Sequence, residues 1–268
     1  MTRTASIPLS ALTRIAPSAA ALTRDFAVVA LIIAVYFLVR GAAPHRPEAA
    51  VELTLGLVRI ETALGIFHEP WIQQVSIRSY ATREFANAVY AYLHFPVMAA
   101  VGVWVWFRGR DRFVFMRNVM CVSMAIGLLF YYTLPAAPPR LMQMYGHDFG
   151  FVDTLFGGDT RVNYSQPSFI LNEYAAVPSF HFGWIVLCSA MMWVTTSRRL
   201  VRALAVLLTA LMTWSIIASA NHFFLDMALG GLVIYVSWVA ARRLAFAPRR
   251  APTRALRAAR PMPERQRV

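Results

Sequence analysis

The stretch "ANHFFLDMALGG" at 220–231 sets His222 and Asp226 four positions apart at the mouth of a strongly apolar run. A second stretch, "YAAVPSFHFGW" at 174–184, places Ser179 and His181 at the mouth of another. Positions four apart share one face of a helix, so Asp226 is expected to accept a hydrogen bond from one ring nitrogen of His222. Such a bond fixes the tautomer and leaves the other nitrogen with its lone pair facing outward as a nucleophile. The carboxylate also stabilises the positive charge that develops on the ring during attack. His181 would then supply a proton to the leaving oxygen. Ser179 and the first N–H groups of its helix suit non-bridging phosphoryl oxygens, and Arg140, in "LPAAPPRLM" at 134–142, would neutralise the remaining charge. The set describes metal-independent phosphoryl transfer through a phosphohistidine, with no cofactor.

Each residue also has a plainer reading. Ser179 after Pro178 reads as a helix cap, Arg140 as an interfacial anchor, and a lone histidine at a membrane surface as a hydrated polar group. Asp226 resists that reading, because an acid one turn into an apolar span is costly unless paired. A "PSxH" start and an "HxxxD" start on the same side of a bundle make a rarer coincidence than either alone. Tyr174 and Asn221, beside the two histidine motifs, and His94, deep in an apolar run, complete the candidate substrate contacts. Asn172, Glu173, His147, Asp148, Asp153 and Asp159 lie in the same long loop.

The elements that must position these groups follow from composition. The chain has 268 residues, 58% hydrophobic and 15% charged, which is too apolar for an ordinary soluble domain of this length. An all-α polytopic membrane bundle of six spans is predicted, near 26–39, 85–107, 119–134, 180–196, 200–220 and 223–246. All 26 basic residues are arginines, at the ends of apolar runs and in the tails, for a net charge of +13. Their concentration in the tails and in the links at 108–112 and 197–202 places both termini in the cytoplasm and the histidine motifs outside. The pattern marks anionic lipid as the charged partner and excludes nucleic acid. Residues 48–69 are apolar but interrupted, with Glu48, Glu52 and Arg59 on one helical face, and are expected to lie along the outer interface. The division is a basic tail at 1–24, a catalytic membrane domain at 25–246, and an arginine- and proline-rich tail at 247–268. Cys121 and Cys188 fall inside apolar runs and read as small hydrophobes.

With those residues in hand, the chain resembles the PAP2 (type 2 phosphatidic acid phosphatase) superfamily, and within it the branch of inositol phosphorylceramide synthases and similar inositol phosphotransferases. The likeness rests on "AAPPR" at 136–140, "YAAVPSFHFGW" at 174–184 and "HFFLDMALGG" at 222–231, and covers most of 85–245. It implies a six-span bundle with an outward-facing site, His181 as general acid, His222 as nucleophile, Asp226 as its partner and Ser179 as a phosphate ligand. It also implies a lipid phosphate or phospholipid substrate, with inositol or another alcohol as acceptor, and a multi-pass protein of the bacterial plasma membrane. The chain departs from the common pattern. It has no lysine for the first motif, whose arginine–proline pair is reversed at Pro139–Arg140. Phe180 stands where a glycine is usual and Ile216 where an arginine is expected, with Ser215 beside it. These losses fit a phosphotransferase better than a phosphatase acting on lipid or polyprenyl phosphates. A silent transporter or scaffold that merely binds a headgroup is the reading of another class.

Overall fold

A computed structural model describes residues 18–157 and 160–246. Residues 1–17 and 247–268, and with them most of the expected basic tail and the whole of the arginine- and proline-rich tail, lie outside the described residues, as does Asp159.

The described chain is helical, without β-strands, as an apolar sequence must be when every backbone group has to bond inside its own segment. Helix α1 spans Ala19–Gly41, α2 Pro47–Ala63, α3 Glu69–Ser76 and α4 Tyr80–Ala88. A π segment, Val89–Leu93, carries α4 without a break into α5, His94–Arg108. Then come α6, Arg110–Thr133, a 3-10 segment at Pro139–Tyr145, and α7, Phe180–Thr195; α8 spans Arg199–Ala218 and α9 Phe224–Phe246. Among the described residues, five helices are long and apolar enough to cross a membrane: α1, the continuous Tyr80–Arg108 helix, α6, α8 and α9. The fourth expected span, 180–196, falls on α7, which is apolar but has only 16 residues. The molecule is a polytopic helical membrane bundle.

Helix α7 is the hub, packed against α5, α8 and α9, while α6 lies against α9 and α1 against α6. The α7–α9 approach is close enough to demand glycine. A Cβ at Gly230 would strike the carbonyl oxygen of Ser179, and one at Gly183 would come within 3.1 Å of the Gly230 carbonyl. This contact draws the starts of α7 and α9, with their two motifs, to one end of the bundle.

Helix α1 is fastened at the opposite end. Asp25, only 2% exposed, accepts hydrogen bonds from Arg110 Nε at 2.6 Å and Nη2 at 2.7 Å, and from Trp106 Nε1 at 3.2 Å. A carboxylate buried in a bundle is tolerated when its charge is met in this bidentate way.

The segment expected to lie along the outer interface, 48–69, folds as α2 and a turn that leads into α3 at Glu69. Glu48, Glu52 and Arg59 are exposed on α2, while Ala50, Val51, Thr54, Val58 and Glu61 are buried beneath it. Thr54 Oγ1 pins α2 to the long loop, donating to the Ala137 carbonyl at 2.9 Å and accepting from the Ala137 N–H at 3.0 Å. Helix α3 packs against α8.

Candidate active site

One cavity opens where the C-terminal ends of α1 and α6 meet the N-terminal ends of α5, α7 and α9. Its volume is about 110 Å³, and it is partly open to solvent. Arg40, His94, Arg140, His181, Asn221 and His222 border it, walled by aromatic rings of Tyr36, Tyr90, Tyr131, Phe156, Tyr164, Phe180 and Trp184.

His181 enters from the first turn of α7. Its ring centroid lies 6.1 Å from that of His222, 4.8 Å from that of His94 in an edge-on arrangement, and 4.3 Å from that of Tyr90 in a stack. The π segment ends immediately before His94 and carries Tyr90, so the extra residue per turn occurs where both side chains must reach one imidazole. Such single π turns often mark functional sites.

His222 and Asp226 meet, with Nδ1 3.4 Å from Oδ2, but by a route other than the expected one. His222 precedes α9 instead of lying on it. The chain turns at Ala220, with φ of 51°, and Asp226 reaches back from the first turn of α9 to accept the Phe223 N–H at 2.9 Å. The carboxylate therefore caps its own helix and faces the imidazole together. At 3.4 Å the pair is within ion-pair reach but longer than a good hydrogen bond, as is common before a substrate draws catalytic groups together.

Arg140 is largely buried at the loop side. Its Nη1 lies 3.2 Å from Asp153 Oδ2, its Nε donates to Asn221 Oδ1 at 3.2 Å, and its guanidinium sits 4.4 Å above the Phe156 ring. Asn221 is held in turn by Ser219, to whose carbonyl and hydroxyl its amide donates. His94 is 3% exposed, and among the described residues neither of its nitrogens has a hydrogen-bond partner.

Two of the sequence-selected residues point elsewhere. Ser179 is fully buried as the N-cap of α7: its hydroxyl accepts the Phe182 N–H at 3.4 Å and its own N–H bonds the Asp226 carbonyl at 3.0 Å. It ties α7 to α9 and is absent from the cavity wall. Tyr174 turns toward α2, its hydroxyl 2.6 Å from that of Tyr145, in a cluster with Ala50 and Val51. Its neighbour Asn172 does reach the cavity, and its backbone carbonyl holds Arg40.

Arg40 is the cavity residue that sequence inspection passed over. Its Nη1 and Nη2 donate to the carbonyls of Ile170 and Asn172 at 3.2 and 3.1 Å, and the guanidinium lies beside the Phe37 and Tyr131 rings. No carboxylate pairs with it among the described residues. An arginine closing an apolar span looks like a headgroup anchor, so nothing local distinguished it. Tyr164, which accepts from Gln166 at 2.8 Å, adds a phenol whose pKa is pushed up by burial and which stays neutral.

Glu61 and Glu69 were equally hidden. Both are fully buried against the start of α9, where Glu61 Oε1 accepts the Leu225 N–H at 2.7 Å and Glu69 Oε1 the Phe224 N–H at 2.8 Å. Among the described residues, no group of three or more His, Cys, Asp or Glu side chains is arranged to hold a metal ion.

Comparison with known proteins adds three findings. The family model described as the PAP2 superfamily matches residues 55–240. Phosphoinositol dihydroceramide synthase of Bacteroides thetaiotaomicron is 24% identical over 203 residues, covering 69% of this chain and 65% of that protein. No solved structure matches.

Proposed function

The chain belongs to the PAP2 superfamily, and from that premise we propose that it is a lipid phosphotransferase working through a phosphohistidine on His222. Its family and its similarity to a synthase support an integral membrane enzyme of the phosphatase or phosphotransferase kind. The observation that carries the finer reading is the pair of imidazoles 6.1 Å apart on one cavity, with Asp226 behind the second.

With Nδ1 turned to Asp226, His222 offers Nε2 to the phosphorus of a headgroup ester. As the N–P bond forms, the P–O bond to the leaving alcohol breaks, and the departing oxygen takes a proton from His181. His181, now neutral, removes the proton of an acceptor hydroxyl, whose oxygen attacks phosphorus and releases His222. Asp226 stabilises the charge that builds on the ring. Arg140 and Arg40, on different elements of the wall, neutralise the phosphoryl oxygens, and Asn221 orients Arg140. The unpartnered nitrogens of His94 suit a hydroxyl of the bound headgroup. Ser179 serves the phosphate indirectly, by fixing the first turn of α7.

The transferred group we favour is inositol phosphate, passed between lipids, because the similar bacterial protein is named for that product. The arginine-rich links at 108–112 and 197–202 lie at the bundle end opposite the cavity. This supports a site facing away from the cytoplasm, with both termini inside, in a bacterial plasma membrane.

Purified protein should move a labelled headgroup between lipid donor and acceptor, read by mass spectrometry, and acid-labile label should accumulate on His222 when acceptor is withheld. His222→Ala should lose both. Release of free headgroup phosphate to water would make the enzyme a phosphatase. Full turnover by His222→Ala would overturn the nucleophile assignment, and binding without any turnover would reduce the protein to a lipid carrier.

A further inference from the structure

The beginning of α9 poses an accounting question. The first N–H groups of a helix have no partner within it, and here those of Phe223, Phe224 and Leu225 go to three different carboxylates: Asp226, Glu69 and Glu61. Two of the three come from outside the helix, Glu61 from the last turn of α2 and Glu69 from the first residue of α3. All three side chains are fully buried, and among the described residues each has one oxygen without a hydrogen-bond partner: Glu61 Oε2, Glu69 Oε2 and Asp226 Oδ1.

Three ionised carboxylates in so small a dry space would repel one another strongly. Two facing carboxyl groups with no other donor between them resolve this by sharing a proton. Burial and the adjoining Glu69 carboxyl push the pKa of Glu61 up to about 9. The titratable groups facing Glu61 are Glu69 of α3 and Asp226 of α9, both carboxylates, with His222 on the far side of Asp226.

We infer that Glu61 and Glu69 are positioning residues of the transfer reaction: they seat the first turn of α9 so that Asp226 meets His222, without themselves touching substrate. The inference rests on the phosphohistidine reading and extends it to the outer helices. The α2–α3 hairpin is then a clamp on the catalytic pair, in addition to covering the bundle. Neither glutamate is on the cavity wall, so their removal should act on kcat and leave KM nearly alone. A displacement of about 1 Å at a catalytic group suffices for a loss on the order of 100-fold.

The proton gives the clamp a pH signature. Below about pH 9 Glu61 is protonated and still accepts the Leu225 N–H through a carboxyl oxygen. Above it the proton leaves, a buried charge appears beside the Glu69 and Asp226 side chains, and the grip on α9 weakens, so activity falls on the alkaline side. A glutamine at 61 has the shape of the protonated acid, accepts the Leu225 N–H through its carbonyl, donates to Glu69 through its amide, and has no proton to lose.

The test compares wild type, Glu61→Ala, Glu61→Gln and Glu69→Gln as full-length protein in detergent with headgroup-transfer kinetics from pH 6 to about pH 10. Helical circular dichroism and elution volume should match the wild type. Glu61→Ala is expected to lose about 10- to 100-fold in kcat with KM within about threefold. Glu61→Gln should regain most of that loss and keep its rate above pH 9, where the wild type declines. Wild-type kcat in Glu61→Ala, or an unchanged alkaline decline in Glu61→Gln, overturns the inference and leaves the phosphohistidine reading intact. A His222→Ala enzyme that still turns over overturns that reading instead, whatever the glutamate variants do.

Discussion

Gly230 of α9 lies directly against the carbonyl of Ser179 at the start of α7, with no room for a Cβ between them. Ser179 in turn donates its N–H to the carbonyl of Asp226, one turn earlier on α9. The two helices that carry His181 and Asp226 are thus locked by a backbone contact and a backbone hydrogen bond within one turn of the candidate chemistry. The approach is specified by a missing side chain, and it fixes the distance between the imidazoles.

Gly230→Ala should therefore push α7 and α9 apart. Overpacking of this kind costs roughly 1–3 kcal/mol, seen as a lower midpoint of thermal unfolding in detergent. Because the displacement falls beside His181 and Asp226, kcat should drop more than stability alone explains. Gly231→Ala is the internal control: its Cβ would meet only the Phe182 ring edge at 3.4 Å, an ordinary contact after slight adjustment. It should stay near wild type in both measurements. Equal effects at 230 and 231 would mean that the α7–α9 contact does not set the site.

Arg40 yields a prediction about binding. Its guanidinium is oriented by two carbonyls and two rings but neutralised by no carboxylate among the described residues, whereas Arg140 already has Asp153. A charge held at a cavity wall without a counter-ion is prepared for an anion. A charge-assisted hydrogen bond contributes about 1.5–3 kcal/mol, so Arg40→Ala should raise KM for a phospholipid donor on the order of 10- to 100-fold, with a smaller change in kcat. Arg40→Lys should recover only part, since a lysine lacks the planar fork. Steady-state kinetics in mixed micelles of fixed lipid fraction checks this. An unchanged KM in Arg40→Ala would return Arg40 to the role of an end-of-span anchor.

Much of this architecture was written in local patterns. Apolar runs with arginine-bearing ends gave the helical membrane bundle, and the "PSFH" and "HFFLD" stretches led to the residues that meet at the cavity. What stayed hidden needed tertiary contact. Arg40 closes an apolar run as any anchoring arginine would, and only the return of the 170–172 loop makes it a cavity residue. Glu61 and Glu69 sit in a segment whose acids Glu48 and Glu52 suggested a helix along the outer interface, and no periodicity tells that α9 begins against them. The spacing of His222 and Asp226 pointed to their contact through helical stacking, yet the chain achieves it through a turn at Ala220. Conversely, Ser179 and Tyr174 stand in the most recognisable motif and are used here for a cap and for packing against α2.

The last prediction concerns how α1 is retained. This helix supplies Tyr36 and Arg40 to the cavity and lies outside the family-matched residues, but few of its residues are buried. Its firmest polar tie is the Asp25–Arg110 pair at the far end, with Trp106 as second donor. Asp25→Asn would remove the charge, keep the shape, and leave Arg110 with one neutral acceptor in place of a bidentate carboxylate. Loss of a charge-assisted pair at a partly exposed arginine costs on the order of 1–3 kcal/mol, read as a lower unfolding midpoint. Because α1 then pivots about its cavity end, KM for the lipid donor should rise in parallel with the Arg40→Ala effect while kcat at saturation changes little. The exchanged pair Asp25→Arg with Arg110→Asp should restore a good part of both. If Asp25→Asn lowers the midpoint but leaves KM unchanged, α1 holds Arg40 through the 170–172 loop alone, and the tie at the far end serves stability only.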